Sequence, residues 1–280
     1  MDACEYYPFM RISFLYTTQS PGGDKMNGID QRGPVEQYIH DRDEQVKENR
    51  RDRDLEVSTY RYTEWLVKSN YTKNFTWMGV PILQYPSDLM VMQEIIEEIR
   101  PDCIIETGIA FGGMSLFYHD MLVCCCLASQ VISIDIDIRE HAWRIFGKDY
   151  QWKCMLPIQG DSADPKTLRK VKKAMKDFYT PIKTVLVSLD SNHTKDHVLQ
   201  ELRLYSPLVS VGSYIVVFDT AIEYFGHLDK NQDRPWGPGN NPATAVREFL
   251  RETDDFEVDK DIEQRALLTS SPGGWLRRVK

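Results

Sequence analysis

Four carboxylates and a histidine, each at or just beyond the end of an apolar run, carry the chemistry this sequence offers. The first lies in Ile104-Ile105-Glu106-Thr107-Gly108-Ile109-Ala110-Phe111-Gly112-Gly113-Met114-Ser115, which reads as a strand, a glycine turn and a helix start. The pattern is Glu106-x-Gly108-x-x-x-Gly112, not the Gly-x-Gly-x-x-Gly that lets backbone approach a dinucleotide pyrophosphate. Glu106 and Ala110 stand in the corresponding neighbourhood, and a carboxylate there repels a pyrophosphate. S-adenosylmethionine has no phosphate and carries an ammonium and a sulfonium, so an acid there attracts it. The loop therefore predicts binding of S-adenosylmethionine and its demethylated product, and no binding of nicotinamide dinucleotides. Asp190 and Asp219 end two later apolar runs. If those runs are neighbouring strands ~4.8 Å apart, the two acids can share one hard cation, for which magnesium is suited. Their bland alternative is a pair of turn or cap residues. His193, three residues beyond Asp190, is the candidate base for an acceptor hydroxyl, since imidazole titrates near neutrality. Its alternative is a cap on the next helix. His197, one helical turn on, reads as structural, and Thr220 adds a hydroxyl.

These groups need a scaffold that brings strand ends together. Pro86-Ser87-Asp88 begins a helix with Leu89, Met92, Ile96 and Ile99 on one face. Strand and helix then alternate: Cys103 to Thr107 with a helix from Gly113, Val131 to Asp135 with a helix from Arg139, and Met155 to Gln159 with a helix from Pro165. Lys183 to Asp190 is a fourth strand, followed by a helix carrying Val198, Leu202 and Tyr205, and Tyr214 to Asp219 is a fifth. Residues 220–241 read as a long irregular loop, the stretch from 222 as a mobile lid whose Tyr224, Phe225 and Trp236 offer sugar-stacking faces. A helix over 242–252 and closing strands at Phe256 to Asp259, Ala266 to Thr269 and Trp275 to Val279 complete the pattern. The rhythm predicts an α/β fold, a doubly wound and mainly parallel sheet of seven strands, Rossmann-like, with helices on both faces. Residues 1–75 form an N-terminal arm and 76–280 the catalytic domain. Within the arm, 1–30 reads as irregular and 41–56 as a solvated helix or a disordered connector. The aromatic run Tyr60, Tyr62, Trp65, Tyr71, Phe75, Trp77 docks it onto a domain or subunit, or lines a substrate mouth.

The formal net charge of −8 argues against a binder of nucleic-acid backbones, since such affinity comes from clustered Lys and Arg. Cys124-Cys125-Cys126 has neither disulfide geometry nor zinc-ligand spacing, and reads as reduced, buried thiols on a helix. No run approaches the ~18 apolar residues of a membrane span. A cytoplasmic protein without a membrane partner is the expectation.

With these residues placed, the chain resembles the cephalosporin hydroxylase family, and especially its rhamnosyl O-methyltransferase branch. The resemblance rests on Trp77-Met78-Gly79-Val80-Pro81, Pro101 to Gly108, Val131 to Asp135, Leu189-Asp190-Ser191-Asn192-His193 and Pro272-Gly273-Gly274-Trp275-Leu276. It implies a class I S-adenosylmethionine-dependent methyltransferase, often oligomeric and often with a divalent metal. Glu106 and Gly108 would hold the methionine part of the cofactor, with Ala110 and Gly112 in the same loop. Asp135 would bind the ribose hydroxyls, a role a strand-end carboxylate fills well. Gly160-Asp161-Ser162 looks like the adenine-contacting turn, or else a helix N-cap before Pro165. The family pattern has an acid where Phe218 stands and usually another where Asn192 stands, so Phe218→Glu is expected to tighten metal binding. The implied function is methyl transfer to a hydroxyl of a sugar or glycosylated natural product. The competing readings are a non-catalytic cofactor-binding subunit and an oxygenase. The oxygenase would need two His and one carboxylate, for which His227-Leu228-Asp229 is the nearest pair.

Overall fold

The computed structural model describes residues 33–125, 127–146, 154–228 and 233–280. The irregular segment expected over 1–30, Cys126 and Asp229 lie outside the described residues. The chain divides into two compact units, one up to Arg53 and one from Asp54 to Lys280. In the first, helix α1 (Pro34–Asn49) begins with proline at its first turn and buries none of its residues. The segment expected over 41–56 as a solvated helix or a connector takes in the end of this helix, a break at 50–52 and the start of the next helix.

The helix α2 (Arg53–Lys68) belongs to the second unit from Asp54 on, and its Thr63 and Leu66 are buried. A small antiparallel hairpin follows, β1 (Thr76–Trp77) with β2 (Val80–Pro81), and then α3 (Pro86–Ile99). The βα units are β3 (Cys103–Thr107) with α4 (Gly113–Cys124), β4 (Gln130–Asp135) with α5 (Glu140–Trp143), β5 (Met155–Gln159) with α6 (Pro165–Asp177), and β6 (Val185–Leu189) with α7 (Lys195–Tyr205). After them come β7 (Tyr214–Val217), α8 (Ile222–Phe225), α9 (Pro242–Glu252), β8 (Phe256–Val258), α10 (Lys260–Ala266) and β9 (Trp275–Arg278).

Seven strands form one sheet in the order β5-β4-β3-β6-β7-β9-β8, parallel except for the pairings that β9 makes. All five residues of β3 and of β6 are buried, as strands covered on both faces must be. Side chains alternate, so Cys103 and Ile105 enter one apolar cluster with α6, α7 and α9. Ile104 enters the other, with residues of α3, α4 and α10. Chain order reverses between β3 and β6, and a ligand crevice is expected beyond the carboxyl ends of the strands at that switch point.

Three expectations change. The strand expected at Ala266 to Thr269 does not form: Ala266 ends α10 and 267–269 continue as irregular chain, and the helix is started by Asp259, whose Oδ1 accepts from the N–H groups of Asp261 and Ile262 at 3.1 and 3.2 Å. Buried Ile262 anchors that helix, and Leu267 follows it at φ 55°. The loop expected over 220–241 contains α8 and a short 3₁₀ turn at Gly226–Leu228. Cys124 and Cys125 are not buried on a helix: α4 ends at Cys124, which is exposed, and Cys125 is half-buried.

Candidate active site

A cavity of about 520 Å³ opens at the predicted switch point, and its walls include Gly108, Ala110, Asp190, Ser191, His193 and Asp219. The register places the tips of β3 and β6 side by side, with Thr107 opposite Leu189. Gly108 adopts φ +90°, and a Cβ there would meet the Asp190 carbonyl oxygen at 2.0 Å. The glycine turn thus rests directly on the loop that carries the acids, a contact no other residue type permits. Ala110 also has positive φ, 47°, in the same turn. Gly112, at φ +87°, sits under Ile145, whose Cδ1 a Cβ would meet at 2.4 Å.

Asp135 holds this turn in shape. Its Oδ2 accepts from the backbone N–H groups of Ile109 at 2.8 Å and Ala110 at 3.3 Å, and its Oδ1 from that of Asp137 at 3.0 Å. The carboxylate expected to bind a ribose therefore stands against two lining residues of the cavity. Glu106, expected to hold the methionine end, is like Asp135 not among the residues that line the cavity. Strand parity explains this: Glu106 shares the face of Ile104 and is 1% exposed. There its Oε2 accepts from Ser115 Oγ, which itself accepts from Ser133 Oγ at 3.0 Å. Its Oε1 has no hydrogen-bond partner among the described residues. Burial pushes its pKa up to about 7, against the Ser115 and Ser133 hydrogen bonds. Asp161 and Ser162 also stand off the cavity wall. The N-cap of α6 is Asp164, which accepts from Lys166 N at 2.7 Å, so the cap alternative for Asp161 and Ser162 falls away. Ser162 joins a half-buried network: its Oγ lies 3.0 Å from His197 Nε2, which is 3.1 Å from Ser191 Oγ, and Ser191 donates to Glu201 Oε1 at 2.7 Å. His197 links the turn after β5 to the cavity wall at Ser191.

Asp190 and Asp219 do come together, because β6 and β7 are neighbours. With His193 they form a cluster in which one ligand atom from each lies within 4.8 Å of the others. His193 Nε2 is 3.4 Å from Asp219 Oδ2. Asp219 holds a left-handed backbone at φ 58°, unusual for a non-glycine residue and typical of functional loops. Burial holds the Asp190 carboxyl well above the usual carboxylate range, with further upward pressure from Asp219, Glu106 and Glu201. Thr220 does not reach this cluster; its hydroxyl donates to Pro272 O at 2.7 Å. Phe218 is 1% exposed and packs edge-on to Trp275 at 6.0 Å between ring centroids. An acid at Phe218 would enter the apolar cluster below the sheet and would not arm the cation site. Asn192 folds back, its Oδ1 accepting from Thr194 N and Oγ1 at 2.9 and 2.8 Å.

Around this floor stand Tyr71, Phe225 and Trp236, whose ring lies 4.8 Å from that of His193 in edge contact. Arg234 covers the Trp236 ring at 4.9 Å. Sequence reasoning missed Gln84, which is 3% exposed and donates from Nε2 to Asp190 Oδ2 at 2.9 Å. A single polar residue before a proline-initiated helix gives no local sign that it reaches a carboxylate 106 residues away.

A seven-stranded sheet with its turn, strand-end acids and cavity at the switch point defines a class I methyltransferase. The family model described as Rhamnosyl O-methyltransferase/CmcI matches residues 69–279, and the chain belongs to that family. It is an S-adenosylmethionine-dependent O-methyltransferase. The rhamnosyl O-methyltransferase of Mycobacterium leprae (strain TN) is 29% identical over 220 residues, covering 78% of this chain and 89% of that protein. The rhamnosyl O-methyltransferase of Mycobacterium tuberculosis (strain ATCC 25618 / H37Rv) is 27% identical over 218 residues, covering 78% and 83%. Among solved structures, a CmcI chain with Mg and SAM superposes with a TM-score of 0.55 at 19% identity, over 74% of this chain and 78% of that one. An apo CmcI chain gives 0.54 at 21% identity, over 74% and 77%. At these identities the likeness speaks to the fold.

Proposed function

We propose that the protein methylates a hydroxyl of a sugar or glycosylated natural product, with Asp190 and Asp219 holding a magnesium ion and His193 acting as base. The convergence of Asp190, His193 and Asp219 beside the Gly108 turn, in a cavity walled by Tyr71, Phe225 and Trp236, carries this reading. The rhamnosyl methyltransferase relatives support a sugar acceptor, and the aromatic walls suit the apolar faces of a pyranose. Two carboxylates, with no cationic side chain among the described residues bonded to Asp190, fit a hard divalent ion, which usually binds through one or two carboxylates and keeps its waters. Bound S-adenosylmethionine supplies a methyl group on sulfonium, and a bound cation stabilises developing negative charge on the acceptor oxygen. A sugar hydroxyl is a poor nucleophile near neutrality, so a base at hydrogen-bond reach adds ~10²–10⁴-fold. His193 accepts that proton, and Asp219 at 3.4 Å stabilises the imidazolium that results. Asp135 organises the Gly108–Ala110 turn and takes the ribose hydroxyls. One His and two carboxylates do not match the two-His, one-carboxylate set of a non-haem iron oxygenase, which disfavours a hydroxylase.

We further propose that the protein is a cytoplasmic homo-oligomer. Among the described residues no helix is long and apolar enough to cross a membrane. Tyr62 and Trp65, stacked and about half exposed on α2, are the candidate subunit contact.

Incubation with S-adenosylmethionine and a panel of rhamnosides and other glycosides, read by mass spectrometry, tests the function. A gain of one methyl, suppressed reversibly by chelator and slowed by His193→Ala with cofactor affinity intact, is the expected result. Full activity after exhaustive chelation and in Asp190→Asn and Asp219→Asn would remove the cation. Tight cofactor binding without transfer to any acceptor would favour a non-catalytic subunit.

A further inference from the structure

Gln84 sits between two anchored neighbours. On one side Ile82 is 1% exposed in the core, and its N–H donates to Phe75 O at 3.1 Å. On the other, Tyr85 is 5% exposed and Pro86 opens α3, whose Asp88 is fully buried. Asp88 Oδ2 accepts from the N–H and the hydroxyl of Ser270 at 2.9 and 2.8 Å, tying the start of α3 to the loop before β9. The backbone that carries Gln84 is thus fixed on both sides. Burying an amide is unfavourable unless its donors are used, and a donor to a carboxylate makes a bond about twice as strong as one between neutral groups. Gln84 Nε2 is the only donor among the described residues that reaches the Asp190 carboxylate. The terminal torsion of an aspartate has a broad, shallow preference, so without that donor the carboxylate plane is free to turn.

We propose that Gln84 is the positioning residue of the reaction centre: by holding Asp190 Oδ2 it fixes the carboxylate plane and leaves the second oxygen to the cation and the acceptor. This rests on the reading that Asp190 and Asp219 bind a divalent ion. A neutral amide suits the task. Glutamate at this place would add a third carboxylate and lose the donor, while lysine would compete with the cation.

Titration of the full-length protein with Mn²⁺ alone, followed by electron paramagnetic resonance, tests the assignment without any acceptor. Outer-shell partners of metal ligands are typically worth 10–100-fold in affinity, so Gln84→Met is expected to bind Mn²⁺ about tenfold more weakly. Gln84→Asn keeps the amide but is one methylene too short, and is expected to lose comparable affinity. Binding of S-adenosylhomocysteine should stay unchanged in both, and a retained thermal transition shows that they fold. In turnover the loss falls on kcat and not on the acceptor KM. Wild-type Mn²⁺ affinity in either folded variant overturns the role of Gln84 and leaves the cation intact. No Mn²⁺ binding by the wild-type protein overturns both.

Discussion

Glu106 is a buried acid near the end of a central strand. Its carboxyl lies under α4, fully buried, with one oxygen unpartnered and its pKa raised by burial to about 7 from an ordinary 4.5. Folding therefore takes up a proton between those values, so its contribution to stability falls as pH rises through that window and levels off above 7. Glu106→Gln has no such titration. It is expected to gain stability relative to wild type between pH 5 and pH 8, by up to roughly 3 kcal/mol, measured by denaturant unfolding at both pH values. A difference that does not change with pH would show the group ionised in the fold. Phe218 makes the opposite point. Its ring is part of the apolar cluster, so Phe218→Glu is expected to lower stability by about 3–5 kcal/mol and leave Mn²⁺ affinity no tighter. Thermal unfolding with and without Mn²⁺ checks both parts.

At the scale of elements, the turn after β3 and the segment before α9 place the site. Gly108 and Gly79 have similar positive φ, +90° and +83°, but a Cβ at Gly79 meets nothing within 4 Å. Gly79→Ala is therefore expected to cost only the backbone term, about 1–2 kcal/mol. Gly108→Ala must in addition push away the Asp190 carbonyl, and should lose more stability and also cofactor affinity. Equal unfolding free energies for the two variants would show that the β3 and β6 tips separate without penalty. Asn241 is fully buried at the start of α9. It accepts from Thr244 N at 3.2 Å, donates to Gly237 O at 2.8 Å, and donates to Glu223, which also accepts from Gly239 N at 2.8 Å. These bonds latch the stretch that carries Trp236, which the sequence alone reads as a mobile lid. Hydrogen exchange should find Gly239 protected in the free protein and exposed in Asn241→Ala. Rapid exchange in the wild type would restore the lid.

For the molecule as a whole, the unit from Asp54 to Lys280 contains the complete sheet, both large apolar clusters and the cavity. A chain beginning at Asp54 is accordingly expected to fold and to bind S-adenosylhomocysteine as the full chain does, by calorimetry; loss of binding would assign the preceding residues a part in the site. Much of this architecture is legible in the sequence, because strand and helix periodicity are local. The limits of β3 and β5 and the start of α9 follow from apolar runs, glycines and prolines within a few residues. So does the pairing of Asp190 with Asp219, since regular βα alternation leaves few possible strand orders. What the sequence leaves open depends on contacts between distant residues. The hydrogen bond from Gln84 to Asp190, the turn of Glu106 away from the cavity, and the burial of Phe218 against Trp275 are set by which face a side chain takes and what packs there. The strand expected before β9 did not form: the chain turns into α10 at Asp259, which supplies a cap, with buried Ile262 as anchor, and 267–269 stay irregular. Local propensity does not register that tertiary gain. Sequence by itself determined the class of fold and the acids at its strand ends; the tertiary structure decided which of those acids face the cavity, because only packing fixes a side chain's face and its partner.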